Sequence, residues 1–453
     1  MRLTRAQTSS FLKALTPGPL AGTDERLYVP LDDVRGDDGF TSTESLWTTL
    51  LSVDEACLLF TGFPGSGKST ELNKLKERLE RTVETSTERR DDDDVLPTHV
   101  VYVEGEEFFD VFNPVGIADV LRVIAYELDR EATRAEGDDP EKAPSFVTRM
   151  VEFLRTTKIE LLVKHDFGQY LGGGVNLMLE LKNSPNFRQA AEEAIGQRGQ
   201  AFLDLARQSM KDSIRRIRAA TKNPDERVVV IVDGLDKIQP LQERDRESIE
   251  KSVELLFWKQ ASQLRIPCHV IYTFPLWLKY RHDVANAYNA SPLILPMVKV
   301  HNKERQVHEP GIEALVEVVR RRIDIDAVFG AEADASLRDL IRASGGYLRD
   351  LMRLVRDVVL YGQDFPVTNT FVHKIIAKAE QDYAHTLYGT ELDVLAEVAI
   401  THKPPQDTEG RMATFSKLYE RRLILAYRNG EEWYDVHPMI REESRLRARL
   451  ASP

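Results

Sequence analysis

The stretch whose residue types and spacing most plainly do chemistry is Gly62-Phe63-Pro64-Gly65-Ser66-Gly67-Lys68-Ser69. It fits the pattern G-x-x-x-x-G-K-[ST] at every fixed position. Glycines let a backbone wrap a phosphate without Cβ clashes. Consecutive N–H groups and the N-terminus of a following helix then supply positive potential for an anion. Lys68 would reach the β- and γ-phosphates, and the Ser69 hydroxyl would hold Mg²⁺. Gly62, Pro64, Gly65, Ser66, Gly67 and Thr70 complete the expected cradle, so the implied cofactors are ATP or ADP with Mg²⁺.

A second set of residues suits the same chemistry. Val228-Val229-Val230-Ile231-Val232 is a continuous apolar run followed by Asp233. Such a run suits a central parallel strand buried on both faces. An acid at its C-terminal end sits on the ligand-binding edge of an open α/β sheet. Asp233 is the expected Mg²⁺ ligand, through water, and Asp236 the group that orients or deprotonates an attacking water. An Asp just past a strand is also a common turn or cap residue. Cys268 to Thr273 reads as a neighbouring strand, and Thr273 at its tip is a candidate γ-phosphate contact or an ordinary strand-end threonine.

The elements around these residues follow from periodicity. Ala56 to Phe60 predicts a strand before the loop, and Thr70 to Glu80 a helix after it, with Leu72, Leu75 and Leu79 on one face. A short amphipathic stretch surrounds Phe11, Leu12 and Leu15. Leu27 to Leu31 reads as a short strand and Ser42 to Leu51 as a helix. The acidic run Glu88 to Asp94 reads as a solvated loop, because like charges repel. His99 to Val103 predicts a strand and Pro114 to Asp129 a helix. Ile159, Leu161 and Val163 alternate with polar positions, as do Val175, Leu177, Leu179 and Leu181 beyond Gly172-Gly173-Gly174, which predicts a β-hairpin. Asn186 to Ala220 predicts one long helix, and Glu247 to Gln263 another. Leu293 to Val300 predicts a last strand, with Pro296 marking an edge or bulge. Strands alternating with helices give an α/β fold with a parallel sheet.

From residue 303 the pattern is helical. Helices are expected over Ile312–Ile323, Ala333–Ala343, Tyr347–Tyr361 and Val367–Ala379, broken by Ser344-Gly345-Gly346. This resembles the helical lid that follows the core in many phosphate-loop ATPases. Arg349, in the first turn after the glycines, is placed to reach back to the nucleotide phosphates; Arg353 is one turn on, on the same face. The last segment predicts helices over Leu392–Ile400 and Phe415–Arg422. A hairpin with an Asn429-Gly430 turn then joins Leu423–Tyr427 to Trp433–Val436. Helix, helix and hairpin suggest a winged helix. From Arg411 to Arg449 the basic residues, among them Arg421 and Arg422, outnumber the acids and permit DNA contact. The expected layout is a lead-in at 1–44, a core at 45–302 with an insertion at 131–221, a lid at 303–384 and a winged-helix-like domain at 385–453.

The chain of 453 residues is 42% hydrophobic and 30% charged, a globular composition. Its net charge of −12 argues against a protein that coats nucleic acid. Cys57 and Cys268 both fall in predicted buried strands, which excludes a disulfide framework and fits a cytoplasmic setting. No stretch approaches the length of a membrane span, so no membrane partner is expected.

The motifs together resemble the AAA+/STAND group of ATPases, near the branch that includes origin-recognition-like ATPases. The matching segments are Gly62 to Ser69, Asp233-Gly234-Leu235-Asp236 and Ser344-Gly345-Gly346-Tyr347-Leu348-Arg349. In the STAND group the second motif often reads Asp-Gly-x-Asp-Glu, and here Lys237 replaces the Glu. That group also carries a winged-helix histidine, in a Met-His-Asp motif, which contacts the ADP β-phosphate. His437 in Val436-His437-Pro438-Met439 is similar in form, with Pro438 in place of the Asp; a capping or packing residue is the other reading.

The resemblance implies a nucleotide-controlled switch ATPase that acts through a separately encoded effector protein or through homo-oligomer assembly, as in bacterial regulatory and anti-phage defence ATPases. A DNA-binding ATPase of the replication-initiator or transposition-regulator type is the alternative, and a nucleotide-binding scaffold that hydrolyses little is a third. Arg320, Arg321 and Arg322 are candidate arginine fingers by position alone.

Overall fold

The computed structural model of the chain describes residues 3–20, 25–36, 42–81, 98–140, 145–156, 159, 174–384, 387–406 and 408–451. The acidic run Glu88 to Asp94 and the first strand of the expected hairpin, at Leu161 and Val163, lie outside them.

Five strands form the main sheet: β1 (Cys57–Gly62), β2 (Thr98–Glu104), β3 (Arg227–Asp233), β4 (His269–Thr273) and β5 (Leu293–Leu295). Their order is β2-β3-β4-β1-β5. The β2–β3, β3–β4 and β1–β4 pairs are parallel, with Glu104 opposite Asp233, Val232 opposite Tyr272 and Phe60 opposite Thr273. Parallel strands finish at one edge, so Gly62, Glu104, Asp233 and Thr273 all close strands on the same side. The chain leaves β1 there to make the glycine-rich loop.

The chain divides into two compact units. One holds residues 46–61 and 75–293. Its core joins Cys57, Leu59, Val101, Val230, Val232 and Val270 of the strands to Val120, Leu121, Ile124 and Leu128 of the helix Ile117–Ala135. These four residues recur at helical spacing and are wholly buried, which is why the helix docks on that face. The second half of the expected hairpin is a helix, Gly174–Asn183. Leu177, Met178 and Leu181 are buried while Leu179 is 42% exposed. The run is nearly continuous in apolar residues and satisfies either period; burial follows the helical one. The single helix expected over Asn186–Ala220 is two, Pro185–Gln197 and Gly199–Ala220, separated at Arg198 by a non-helical φ of −129° and ψ of 36°. The helix expected over Glu247–Gln263 is regular only to Glu254, then widens into a π-turn at Leu255–Lys259.

The other unit holds residues 1–45, 62–74 and 294–453. The lead-in helix Arg5–Ala14 is followed by Leu15, Leu31 and Val34, which are buried among residues of the helices Glu309–Arg320, Ala333–Ser344, Leu348–Tyr361 and Asn369–Ala384. Leu27 to Leu31 is not a strand. The Leu27 and Tyr28 carbonyls instead accept from Arg322 and Arg321, at 3.0 and 2.5 Å. Strand β5 stops at Leu295 because Pro296 has no N–H for a ladder. Met297 N–H then donates to Ala426 of the terminal module. That module has the helices Gly389–Thr401 and Glu409–Glu420, the antiparallel strands β6 (Ile424–Asn429) and β7 (Glu431–Val436), and the short helices Pro438–Arg441 and Ser444–Leu450. Trp433, 1% exposed and stacked at 4.5 Å on Tyr427, anchors the hairpin. The chain is thus an α/β phosphate-loop fold followed by a helical lid and a winged-helix-like module.

Candidate nucleotide site

The loop from Gly62 to Ser69 folds back on itself. Ser66 N–H donates to the Phe63 carbonyl at 3.1 Å, and the helix Lys68–Arg81 begins within the motif. Gly65 and Gly67 have φ of +87° and +105°, where a side chain would be strained. Lys68 is 5% exposed, and its Nζ donates to the Gly62 and Phe63 carbonyls, both at 2.9 Å. Phe63, 2% exposed, packs edge-on against Tyr419 at 4.5 Å between ring centres.

The loop is held from outside by residues far away in sequence. The Tyr347 hydroxyl donates to the Pro64 carbonyl. Arg35 Nη2 donates to the Ser66 carbonyl and Nη1 to the Pro296 carbonyl, both at 2.7 Å. Arg349 lies on Gly65, where an added Cβ would come within 2.2 Å of its Nε. Among the described residues the buried Ser66 Oγ and Arg349 Nε have no hydrogen-bond partner. A glycine cradle with a buried ammonium, an orphaned hydroxyl and an orphaned guanidinium nitrogen fits a polyphosphate anion.

Directly behind the loop lies a buried polar cluster. Tyr28 donates to Glu71 Oε2 at 3.1 Å. Burial pushes the Glu71 carboxyl up to about 7, with Arg35 pulling the other way. Burial also lowers the Arg35 guanidinium, while Glu71 and Asp32 oppose that change. Thr70, expected at the nucleotide, accepts from Leu20 N–H through its hydroxyl at 3.1 Å, and Asn73 donates to the Leu20 carbonyl at 3.0 Å. Thr70 therefore ties down the lead-in.

In the sheet-bearing unit, Asp233 is 7% exposed. Its Oδ2 accepts from the Tyr102 hydroxyl at 3.0 Å and its Oδ1 from Gly234 N–H at 2.8 Å. These donors fix the carboxylate at the strand end. Asp236 follows on the 3₁₀ turn Leu235–Lys237, which Gly234 opens with φ of +96°. Lys237, standing where the STAND pattern has Glu, pairs with Glu106 Oε2 at 2.5 Å. Thr273 is wholly buried; its hydroxyl accepts from Gly234 N–H at 2.9 Å and donates to the Val232 carbonyl at 3.4 Å. It braces the β3 end.

Among the described residues no group of three or more His, Cys, Asp or Glu side chains is placed to hold a metal by itself. Mg²⁺ does not need one, since it is commonly held by one or two protein oxygens with waters and substrate phosphates.

His437 takes the capping and packing position, the other of its two readings. It is wholly buried, stacks on Tyr383 at 4.7 Å, and faces Asp350 Oδ2 through Nε2 at 3.1 Å. Pro438 starts a short helix, which makes His437 its N-cap: Nδ1 accepts from Met439 N–H at 3.2 Å. Nδ1 is thus committed to the helix cap, and Nε2 lies at ion-pair distance from Asp350 in the lid. Asp350 also accepts from the Tyr383 hydroxyl at 2.5 Å. Burial raises its pKa, but the His437 and Tyr383 contacts bring it below the usual carboxylate value.

Arg321 and Arg322 hold the lead-in, whereas Arg320 pairs only locally with Glu317 at 3.0 Å. Many of the terminal arginines are paired: Arg411 with Glu397, Arg421 with Glu391, Arg441 with Asp435, Arg445 with Glu443, Arg447 with Glu442 and Arg449 with Asp393.

The loop, Asp233 and Arg349 stand out in the sequence, whereas Arg35, Tyr102, Tyr347 and Asp350, which the structure places beside them or beside His437, do not. Tyr347 and Asp350 flank motif positions, which is a weak signal. Arg35 carries none.

No curated protein matches the chain. Solved structures similar over most of its length include Drosophila ORC bound to DNA, at 13% identity, covering 100% of this chain and 94% of that one, with a TM-score of 0.35. The Walker-type ATPase of Pyrococcus abyssi has 12% identity, coverage of 93% and 99%, and a TM-score of 0.40. The Aeropyrum pernix ORC1 protein in complex with DNA has 12% identity, coverage of 97% and 95%, and a TM-score of 0.39. Likeness this loose carries no residue-to-residue correspondence. Residues 52–194 match the family model described as an AAA domain, and the glycine-rich loop, with the strand and helices after it, lies in that segment.

Proposed function

We propose that the chain is a nucleotide-controlled switch ATPase, in which ATP or ADP at Gly62 to Ser69 sets the state of the lid and winged-helix segments. One observation carries this reading. The loop is bonded to Tyr347 and touched by Arg349 at the start of a lid helix, and its Phe63 packs on Tyr419 of the winged-helix module. An anion entering the loop must contact or displace Arg349, so occupancy acts on the helix that bears it. A ligand shifts a two-state element only by its differential affinity for the two states, and this contact gives it one.

In this reading the loop N–H groups and Lys68 bind the β- and γ-phosphates. Ser69 and Asp233 would hold Mg²⁺, which would supply neutralisation of the phosphate charge. Asp236 orients the attacking water, and Arg349 senses the phosphate. Output then passes to a separately encoded partner or to self-assembly. Pairing with neighbouring carboxylates occupies many of the terminal arginines and lowers the local positive potential a phosphate backbone would meet, and with it the support for DNA as the partner.

Partner binding or assembly state, measured by light scattering with ATP, ADP and no nucleotide, tests the switch. Differences among the three are expected; identical behaviour in all three removes it.

A further inference from the structure

Two side chains outside the motif fix the orientation of peptide groups inside it. A trans peptide is planar, so its C=O and the following N–H point in opposite directions. Arg35 Nη2 holds the Ser66 carbonyl at 2.7 Å, which turns the Gly67 N–H away from Arg35. The Tyr347 hydroxyl holds the Pro64 carbonyl, which turns the Gly65 N–H away from Tyr347. Gly65 and Gly67 are the two motif positions with φ of +87° and +105°, backbone that needs support to persist in one conformation.

We propose that Arg35 and Tyr347 are positioning residues for the anion site: they hold the Ser66 and Pro64 carbonyls outward so that the Gly67 and Gly65 N–H groups face a diphosphate. This rests on the nucleotide reading above and adds to it the two residues that build the donor array. Arg35 suits the task. It is 2% exposed, and its fork spans two carbonyls, because Nη1 is fixed on Pro296 at 2.7 Å. A guanidinium tied at both ends cannot rotate without breaking a charge-assisted bond. The segment that bears it is itself tied down, by Leu20 on Thr70 and Asn73 and by Arg322 on the Leu27 carbonyl. Tyr347 is braced in turn by Arg422 Nη1 at 3.4 Å. The lead-in and the lid thus each own one peptide of the cradle. The loop reaches its full donor set only when both are docked.

The test is calorimetric titration of ADP and of inorganic pyrophosphate into the full chain and into Arg35→Lys, Arg35→Met and Tyr347→Phe variants, below the unfolding temperature of each. Lysine offers one point donor where arginine offers a fork, so Arg35→Lys weakens both ligands by roughly tenfold and Arg35→Met by more. Tyr347→Phe removes one oxygen and weakens both by roughly five- to tenfold. The loss is equal for ADP and pyrophosphate, because it resides in the phosphate donors; a purely structural role would lower the unfolding temperature without that matched loss. If the Arg35 variants do not fold, Tyr347→Phe still decides. Parental affinity in the folded variants overturns the positioning role while leaving the nucleotide reading intact. A parent chain that binds neither ligand overturns both.

Discussion

The glycine-rich loop and the strand end at Asp233 are braced in opposite ways. Asp233 is held by the N–H of the next residue and by Tyr102 on the adjacent strand, and Thr273 holds Gly234 from the other neighbouring strand. The first contact is local and the other two follow from strand register. The loop is held by Arg35, 31 residues from Ser66, and by Tyr347, 283 residues from Pro64. A site braced by register is set once the sheet forms. A site braced by remote segments can be altered by whatever moves those segments, which is the property a switch requires.

The largest expected effect breaks the loop itself. Lys68→Ala removes the buried ammonium and should weaken ATP binding by roughly a hundredfold or more, read with a fluorescent ATP analogue. Parental affinity would move the nucleotide elsewhere. Asp236→Asn acts on the other side of the comparison. Binding should hold while single-turnover hydrolysis slows by on the order of a hundredfold. A parent chain as slow as the variant would mark a scaffold that hydrolyses little.

The pair Asp350 and His437 sharpens the contrast in wiring. Asp350→Asn and His437→Gln should each cost about 1–3 kcal/mol in urea unfolding, and the double variant less than their sum. Strict additivity would mean that the 3.1 Å contact carries no coupling. Thr273→Val should cost about 1 kcal/mol and leave hydrolysis near the parental rate, since its hydroxyl serves Gly234 and Val232. A large fall in hydrolysis with ATP binding intact would mark Thr273 as a phosphate contact.

The same contrast explains what could be read in the chain. The run Val228 to Val232 is apolar because both faces of β3 are buried, and that demand is written in side chains. The loop is equally legible, since only glycine tolerates its backbone at Gly65 and Gly67. Arg35 and Tyr347 are illegible because their partners are backbone carbonyls, which every residue has. His437 was visible as a motif position, but Pro438 made it a helix cap and Asp350 supplied the acid from a distant helix. The helix Gly174–Asn183 was misread because a run of apolar residues satisfies two periods at once.

The smallest expected effect tests whether register alone holds the sheet together. His269 begins β4, is 2% exposed, and accepts Ala56 N–H through Nδ1 at 3.1 Å. That bond needs an unprotonated nitrogen. Burial first and then the nearby Arg227 lower its pKa from 6.5 to about 4, with Asp54 opposing. The unfolded chain takes up this proton as pH falls through 6.5, whereas the folded chain resists until about 4. The stability His269 contributes is therefore complete above pH 6.5 and lost progressively down to about pH 4. Between pH 7 and pH 6 the loss is about half a kcal/mol, read as a shift in urea midpoint. His99, also lowered by burial, adds a change of the same sign, so the informative quantity is the difference between parent and variant. Asparagine keeps an acceptor for Ala56 N–H and does not titrate. His269→Asn should therefore flatten the slope between pH 7 and pH 4 even if its baseline is lower. An unchanged slope would place the acid sensitivity of this unit outside the start of β4.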